Sequence, residues 1–328
     1  MSHSNISIFV PHIGCPCKCS FCNQFSITKQ HYSPKSDDVD KAVFEALKSR
    51  KYNAKEAEIA FFGGSFTAID REYMTELLSA AKRHIDNGNV SGIRISTRPD
   101  FIDNEILDIL KEFDVTSIEL GAQSMRDEVL FLNNRGHSAS DVYNSSKLIK
   151  EYGFELGLQI MTGLYGDDDE GAVFTANEFV KLEPKTVRIY PTIVLNDTFL
   201  ADKFNNGEYA PQTVNEAVKL CTRLIPIFEN AGIDIIRLGL HTIDANEYVA
   251  GPWHPAFSEL CENEIYKNII LSKLDEKGNY TVSVARGEVS KAIGQKRSNI
   301  VYFESLGYKA KIKEDKDIYP RSVKIERE

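Results

Sequence analysis

Three cysteines within eight residues, Cys15, Cys19 and Cys22, are the groups in this chain whose type and spacing could do chemistry. They stand in the run His12-Ile13-Gly14-Cys15-Pro16-Cys17-Lys18-Cys19-Ser20-Phe21-Cys22-Asn23, a C-x3-C-x2-C spacing with an aromatic residue directly before the last cysteine. Thiolates this close along the chain can reach one inorganic cube without help from the rest of the fold. Three thiolates would hold three irons of a four-iron cluster and leave one iron for a ligand that is not protein. A zinc site is the competing reading, with Cys17 as a fourth thiolate. Structural zinc sites, however, usually pair two short knuckles across a longer stretch, and here all four cysteines lie in one loop. Disulfides suit the chain poorly, with six cysteines in 328 residues and an N-terminus, MSHSNISIFV, that reads as a strand and not as a secretory segment. Cys17 is either a bystander in the loop or a substitute ligand.

The elements that must position this loop follow a strand–helix rhythm. Strands are expected at residues 6–10, 57–62, 93–96, 117–121, 155–161 and 186–192, with a further one at 233–238. All are short and rich in Ile, Val, Leu and Phe, as buried parallel strands are. Helices are expected at 38–50, 70–87 and 212–230, where apolar residues recur at helical spacing. Alternation without hairpins predicts a parallel sheet covered by helices, a (βα)6 partial TIM barrel, although a doubly wound sheet has the same local pattern. In a barrel the loops leaving the C-terminal strand ends build the active site, and the cysteine loop follows the first strand. Past Leu238 the rhythm changes. Residues 240–257 read as loop, followed by a helix over 258–274, a strand over 281–286, two short helices around Gly294 and a strand over 309–313. The expected domains are therefore 1–240, the barrel, and 241–328, a small α/β piece.

Composition limits the function classes. No apolar run approaches the ~20 residues of a membrane span, so no membrane partner is expected, and the expected compartment is reducing cytoplasm. The formal charge of −9 is unevenly spread: residues 261–328 carry 14 Lys and Arg against 11 Asp and Glu. A mildly basic C-terminal piece on an acidic body points to an anionic partner for that piece.

The other strand ends carry polar or glycine-rich motifs in order: GGSFT at 63–67, TRPD at 97–100, ELGAQS at 119–124, MTGL-x-G at 161–166, RIYPTIVL at 188–195 and IRLGLH at 236–241. Together with the cysteine loop these resemble the radical S-adenosylmethionine enzymes. Within them they resemble the branch that holds the catalytic subunit of Elongator and related bacterial proteins, and more distantly oxygen-independent coproporphyrinogen III oxidase. The resemblance covers about residues 5–260. It implies a four-iron–four-sulfur cluster on Cys15, Cys19 and Cys22, with S-adenosylmethionine on the open iron. It places Phe21 near the adenine and Gly63, Gly64 and Ser65 at the methionine amine. Gln123 matches a ribose-contacting glutamine, and Arg135 an arginine against the methionine carboxylate. Gln159 stands where the oxidase has an aspartate. Ser96 departs from the pattern, since relatives often carry Glu there, so one ribose contact is missing. The chemistry implied is reduction of the sulfonium to methionine and a 5′-deoxyadenosyl radical that abstracts hydrogen from a substrate. It also implies an electron donor such as flavodoxin or ferredoxin. No position is singled out as a catalytic acid, base or nucleophile. Arg98 and Arg188 are expected to be paired within the acidic barrel, and His254, flanked by Trp253 and Pro255, to be structural.

The C-terminal piece reads strand, short helix, glycine loop, short helix, strand, the core order of a KH domain, which clamps single-stranded nucleic acid with a G-x-x-G loop. Here the loop is Gly294-Gln295-Lys296-Arg297, with arginine in place of the second glycine. RNA, possibly tRNA in keeping with the resemblance, is the expected substrate class. A small-molecule substrate and a non-catalytic iron–sulfur RNA-binding protein are the alternatives. The chain is expected to lack the acetyltransferase domain of Elongator's catalytic subunit, and Cys221 and Cys261 to be isolated.

Overall fold

The structure is a computed structural model that describes residues 4–10, 15, 18–23, 32–240 and 243–328. β1 (Ser4–Val10) leads into the cysteine loop, then α1 (Ser36–Leu47) and β2 (Ala57–Gly63). The rhythm continues through α2 (Arg71–Asp86), β3 (Gly92–Thr97), α3 (Asn104–Glu112) and β4 (Val115–Gln123). Two helices, α4 (Asp127–Leu132) and α5 (Ala139–Glu151), precede β5 (Glu155–Thr162), and α6 (Asp169–Leu182) precedes β6 (Thr186–Pro191). A short strand β7 (Val194–Leu195), α7 (Phe199–Asn205) and α8 (Val214–Asn230) follow before β8 (Asp234–Leu238).

The seven long strands pair in the order β1-β2-β3-β4-β5-β6-β8, parallel throughout. A doubly wound sheet reverses direction at a switch point. This sheet never does, so the strands wind one way into a half barrel. The helices end where their sequence dictates. Asp70 caps α2 by accepting the Tyr73 N–H, and Ser138 and Asp141 form a capping box on α5. Residues that face the helices, such as Ile59, Ile93, Ile95, Ile118, Leu120, Leu158 and Ile189, belong to one apolar core.

The opposite, concave face is polar. Arg94 donates to Glu58 at 2.8 Å and to Glu119 at 3.2 Å, and Arg188 grips Glu119 through two bonds of 2.7 and 2.9 Å. This network accounts for Arg188, as expected, and Arg98 is likewise bidentate on Asp100 at 2.9 and 2.7 Å. A buried charge left without its partner costs roughly 3–5 kcal/mol, which makes the network a constraint on the barrel floor.

The region read as loop after β8 holds a strand, β9 (Tyr248–Ala250), antiparallel to β7. Two- and three-residue strands have too few residues to show a period, so no sequence pattern announces them. α9 (Phe257–Leu271) then serves both halves of the chain. Phe257 and Cys261 belong to the barrel core, whereas Tyr266 and Ile270 belong to a second core. That second core lies under a three-stranded sheet of β10 (Gly278–Val284), β11 (Tyr308–Glu314) and β12 (Val323–Arg327), ordered β11-β10-β12. α10 (Val289–Ile293) and α11 (Ser298–Ser305) sit between β10 and β11 in sequence, as the pattern around Gly294 predicts. β12 was not foreseen. Arg321 pins this piece to the barrel by pairing with Glu229 of α8 and Glu262 of α9. Cys221 and Cys261, expected to be isolated, meet across α8 and α9 as a fully buried thiol pair.

Candidate active site

The C-terminal strand ends bring the sequence motifs to one mouth. Cys15, Cys19 and Cys22 are half-buried there, and Cys17 lies outside the described residues. The Cys22 N–H donates to the Cys19 carbonyl at 3.1 Å, a tight turn joining the second and third cysteines. The thiols sense one another. Burial pushes Cys22 up to about 12, with a further rise from Cys19 and Cys15 and with Arg135 opposing it. Burial also raises Cys15, against a hydrogen bond from the Ser65 backbone. The glycine-pair loop therefore touches the cysteine loop directly.

Among the described residues no three His, Cys, Asp or Glu side chains converge on one point, as a single metal ion would require. Thiolates on three different irons of one cluster need only surround a shared space. Cys15, Cys19 and Cys22 lie close enough to feel one another's charge, and such a donor set fits a cluster. Arg135 adds to the fit: its Nη1 donates to Cys19 Sγ at 2.9 Å, its guanidinium also bonds the Gly121 carbonyl, and it lies 6.0 Å from the Phe21 ring centre.

The loop is held by residues that sequence reasoning did not single out. Ser20, between the second and third cysteines, is fully buried. Its N–H donates to the Asn133 carbonyl at 3.1 Å and its Oγ to Asn133 Oδ1 at 2.6 Å. The Asn133 amide then donates to the carbonyls of Val129 and Tyr165, both at 2.8 Å, and Leu200 N–H reaches the Ser20 carbonyl at 2.8 Å. Three separate segments thus clamp one serine. Beyond the last cysteine, the Asn23 amide donates to the Asn196 carbonyl, and Asn196 bonds the backbone of Asn246 and Glu247. The β7–β9 pair is thereby tied to the cysteine loop. Phe21 packs among Met161, Leu164, Val194 and Leu200.

Gly63 has φ +115°, and a Cβ there would meet the Val10 carbonyl oxygen at 2.4 Å and the Phe9 ring at 2.7 Å. Close approach of β1 alone explains that glycine. Ser65 Oγ bonds Thr97 Oγ1 at 2.8 Å and accepts the Arg98 N–H at 3.3 Å, which couples the ends of β2 and β3. Gln123 ends β4 in a left-handed conformation, φ +70°, and its buried Oε1 has no partner among the described residues. A strained, non-glycine residue with an orphaned acceptor is the mark of a functional constraint. A Cβ at Gly121 would stand 3.1 Å from Gln123 Nε2 and 3.4 Å from Arg135 Nη2, so these three positions share one space. Gln159 lies in the polar floor, donating to Glu119 at 3.3 Å, two strand positions before Met161. Ser96 Oγ is buried without a partner among the described residues. His254 accepts the Ala256 N–H on Nδ1 just before α9, a structural task.

A one-way parallel half barrel with a three-cysteine loop at its mouth defines a class of iron–sulfur enzyme. The Radical SAM superfamily model matches residues 9–179, and the Radical_SAM C-terminal domain model matches residues 184–267. The chain belongs to the radical S-adenosylmethionine superfamily, whose cofactors are a four-iron–four-sulfur cluster and S-adenosylmethionine. A tRNA uridine(34) acetyltransferase of Dehalococcoides mccartyi is 27% identical over 240 residues, covering 63% of this chain and 52% of that protein. An uncharacterized protein of Methanocaldococcus jannaschii is 30% identical over 218 residues, covering 63% and 67%. Elongator complex protein 3 of Homo sapiens is 27% identical over 205 residues, covering 56% and 37%. The chain thus spans about half, or less, of the two relatives with descriptive names. Among solved structures, Methanocaldococcus infernus Elp3 with an N-terminal deletion aligns at TM-score 0.60 and 21% identity, over 85% of this chain and 66% of that one. Streptococcus suis SuiB bound to S-adenosylmethionine aligns at TM-score 0.52 and 11% identity, over 72% and 51%. Both show the same fold. Among the described residues no helix is long and apolar enough to cross a membrane.

Gly64 is the clean probe of the proposed methionine subsite, because a substitution at Gly63 would clash with β1. Gly64→Val should leave iron content unchanged and weaken S-adenosylmethionine binding at least tenfold, about 1.4 kcal/mol. Calorimetry that finds unchanged affinity would remove this loop from the site.

Proposed function

We propose that this chain performs radical hydrogen abstraction on an RNA substrate, tRNA in particular. The observation that carries this reading is the set of relatives named for tRNA uridine(34), aligned along 203 to 240 residues. Two features of the chain support it. The C-terminal piece is its net-positive region, and the loop between α10 and α11 presents exposed Lys296 and Arg297, both with left-handed φ.

The residues divide the work. Cys15, Cys19 and Cys22 would hold the cluster, with Arg135 donating to one sulfur. Gly63, Gly64, Ser65, Gln123 and Phe21 would line the cofactor space, while Gln159 and the Glu119 network would keep the floor polar and rigid. Bound there, the cluster and the sulfonium cofactor supply one-electron chemistry and hydrogen abstraction, with an electron donor such as flavodoxin or ferredoxin in a reducing cytoplasm. The protein's part is to position the substrate at the mouth and exclude water.

The test uses anaerobically reconstituted protein. Binding of tRNA should be measurable at low salt, and adding tRNA should raise the rate of S-adenosylmethionine cleavage. Protein that cleaves the cofactor but binds no RNA at low salt would sink the RNA reading and move a small-molecule substrate to first place.

A further inference from the structure

The three-stranded sheet of the C-terminal piece has two unlike faces. Tyr280, Val282 and Val284 of β10, with Ile312 and Ile325 of its neighbours, turn into the second core against Tyr266, Ile270 and Phe303. The alternate positions turn away from that core. On β11 these are Lys309, Lys311 and Lys313, all exposed. They stand in register with Asn279, Thr281 and Ser283 of β10, and Ser283 and Thr281 pair in turn with Lys324 and Glu326 of β12. The face is therefore a row of three lysines along a free edge, a floor of small polar side chains, and across it Lys324 with two carboxylates, Glu326 and Glu328.

Charge on this face is unbalanced. Glu326 pairs with Lys324 at 2.8 Å and reaches Lys313 only at 4.0 Å. Among the described residues Lys309 and Lys311 pair with no acidic side chain, although the whole chain is at −9. Lysines on an edge strand can simply guard against pairing with another sheet. Guarding needs charge on the edge strand alone, however, whereas a fourth lysine, Lys324, stands on the same face across the sheet. Here one sign repeats at every second residue, about 6.7 Å apart. In the strand beside it Thr281, opposite Lys311, donates its hydroxyl to Glu328 at 2.9 Å, and Ser283, opposite Lys313, is buried. A row of lysines in excess of the glutamates across the sheet is complementary to a chain of phosphates, and it reads no base.

We infer that the face bearing Lys309, Lys311 and Lys313 is the track on which the backbone of a single-stranded RNA segment lies. The inference rests on the RNA reading above. It adds that the grip comes from the sheet face more than from the Lys296–Arg297 loop.

The experiment compares binding of oligo(U) and of tRNA to full-length reconstituted protein over a range of salt. The variants are Lys309→Gln/Lys311→Gln/Lys313→Gln and, separately, Lys296→Gln/Arg297→Gln. Three lost phosphate contacts should flatten the slope of log affinity against log salt by about 2. Across a fourfold rise in salt, wild type should then lose roughly twentyfold more affinity than the sheet variant. The loop variant should change less, and RNA-independent cofactor cleavage should be unchanged in both. If the triple variant is insoluble, Lys311→Gln alone should flatten the slope by about 0.7. Sheet variants that self-associate but keep wild-type affinity and slope would mean that the lysines only guard the edge. That result overturns the inference and leaves the RNA reading standing, whereas wild-type protein that binds no RNA overturns both.

Discussion

Reconstituted Cys19→Ala protein is expected to assemble no four-iron cluster and to show no cluster charge-transfer band, where wild type holds about four irons. Three thiols are the minimum that leaves one iron open, and two cannot hold the cube against chelation. Cys19 is the most informative of the three. It lies between the other two in charge coupling, and it receives the Arg135 bond. Cys17→Ala should retain cluster and iron, since C-x3-C-x2-C is complete without it. Should Cys17→Ala lose the cluster while Cys15→Ala keeps it, the ligand assignment is wrong. Iron analysis and the visible spectrum decide this without any knowledge of the substrate.

Asn133→Ala should have the second-largest effect, on stability and on cluster retention together. The substitution orphans the Ser20 hydroxyl and the Tyr165 carbonyl at a fully buried side chain, whereas the Val129 carbonyl keeps the Asn133 N–H at 3.1 Å. Unsatisfied buried groups cost about 1–3 kcal/mol each, and partial relaxation brings the expected loss to about 2–4 kcal/mol. Ser20→Ala separates the two consequences. It leaves one buried acceptor, Asn133 Oδ1, without its donor, about 1–3 kcal/mol, so the thermal midpoint of the cluster-free protein should fall less than in Asn133→Ala. The cysteine loop would lose its anchor, and iron should pass to a chelator several times faster than from wild type. Ser20→Thr, which keeps the hydroxyl, should recover the slower rate. Equal iron release from Ser20→Ala and wild type would show that the clamp does not position the cluster.

The parts of this protein that the sequence alone determined are those whose information is local. The three candidate ligand cysteines lie within eight residues, so their spacing alone suggests their chemistry. The inner barrel strands, β2 to β6, are buried on both faces, and they read, like the two outer strands, as short apolar runs within a few residues of their observed ends. Asp70 and Asn87 bracket α2 as caps because capping is satisfied within one turn. Gly294 and the helices around it were legible for the same reason.

What only the tertiary structure decided is contact across long separations. Ser20 and Asn133 are 113 residues apart, and an Asn-Asn-Arg run carries no sign of a partner in the cysteine loop. Cys221 and Cys261 looked solitary until α8 and α9 packed side by side. β7 and β9 are too short to announce themselves and exist because each completes the other's hydrogen bonds. The alternation of Tyr308, Lys309, Ala310, Lys311 and Ile312 was visible in the sequence. Which of its two faces meets solvent was settled only when α9, α10 and α11 buried the apolar one. One-way winding of the sheet was likewise undetermined, because identical strand–helix units build open and curled sheets. The order of neighbours is set by how strands close on one another in space, and no local pattern encodes it.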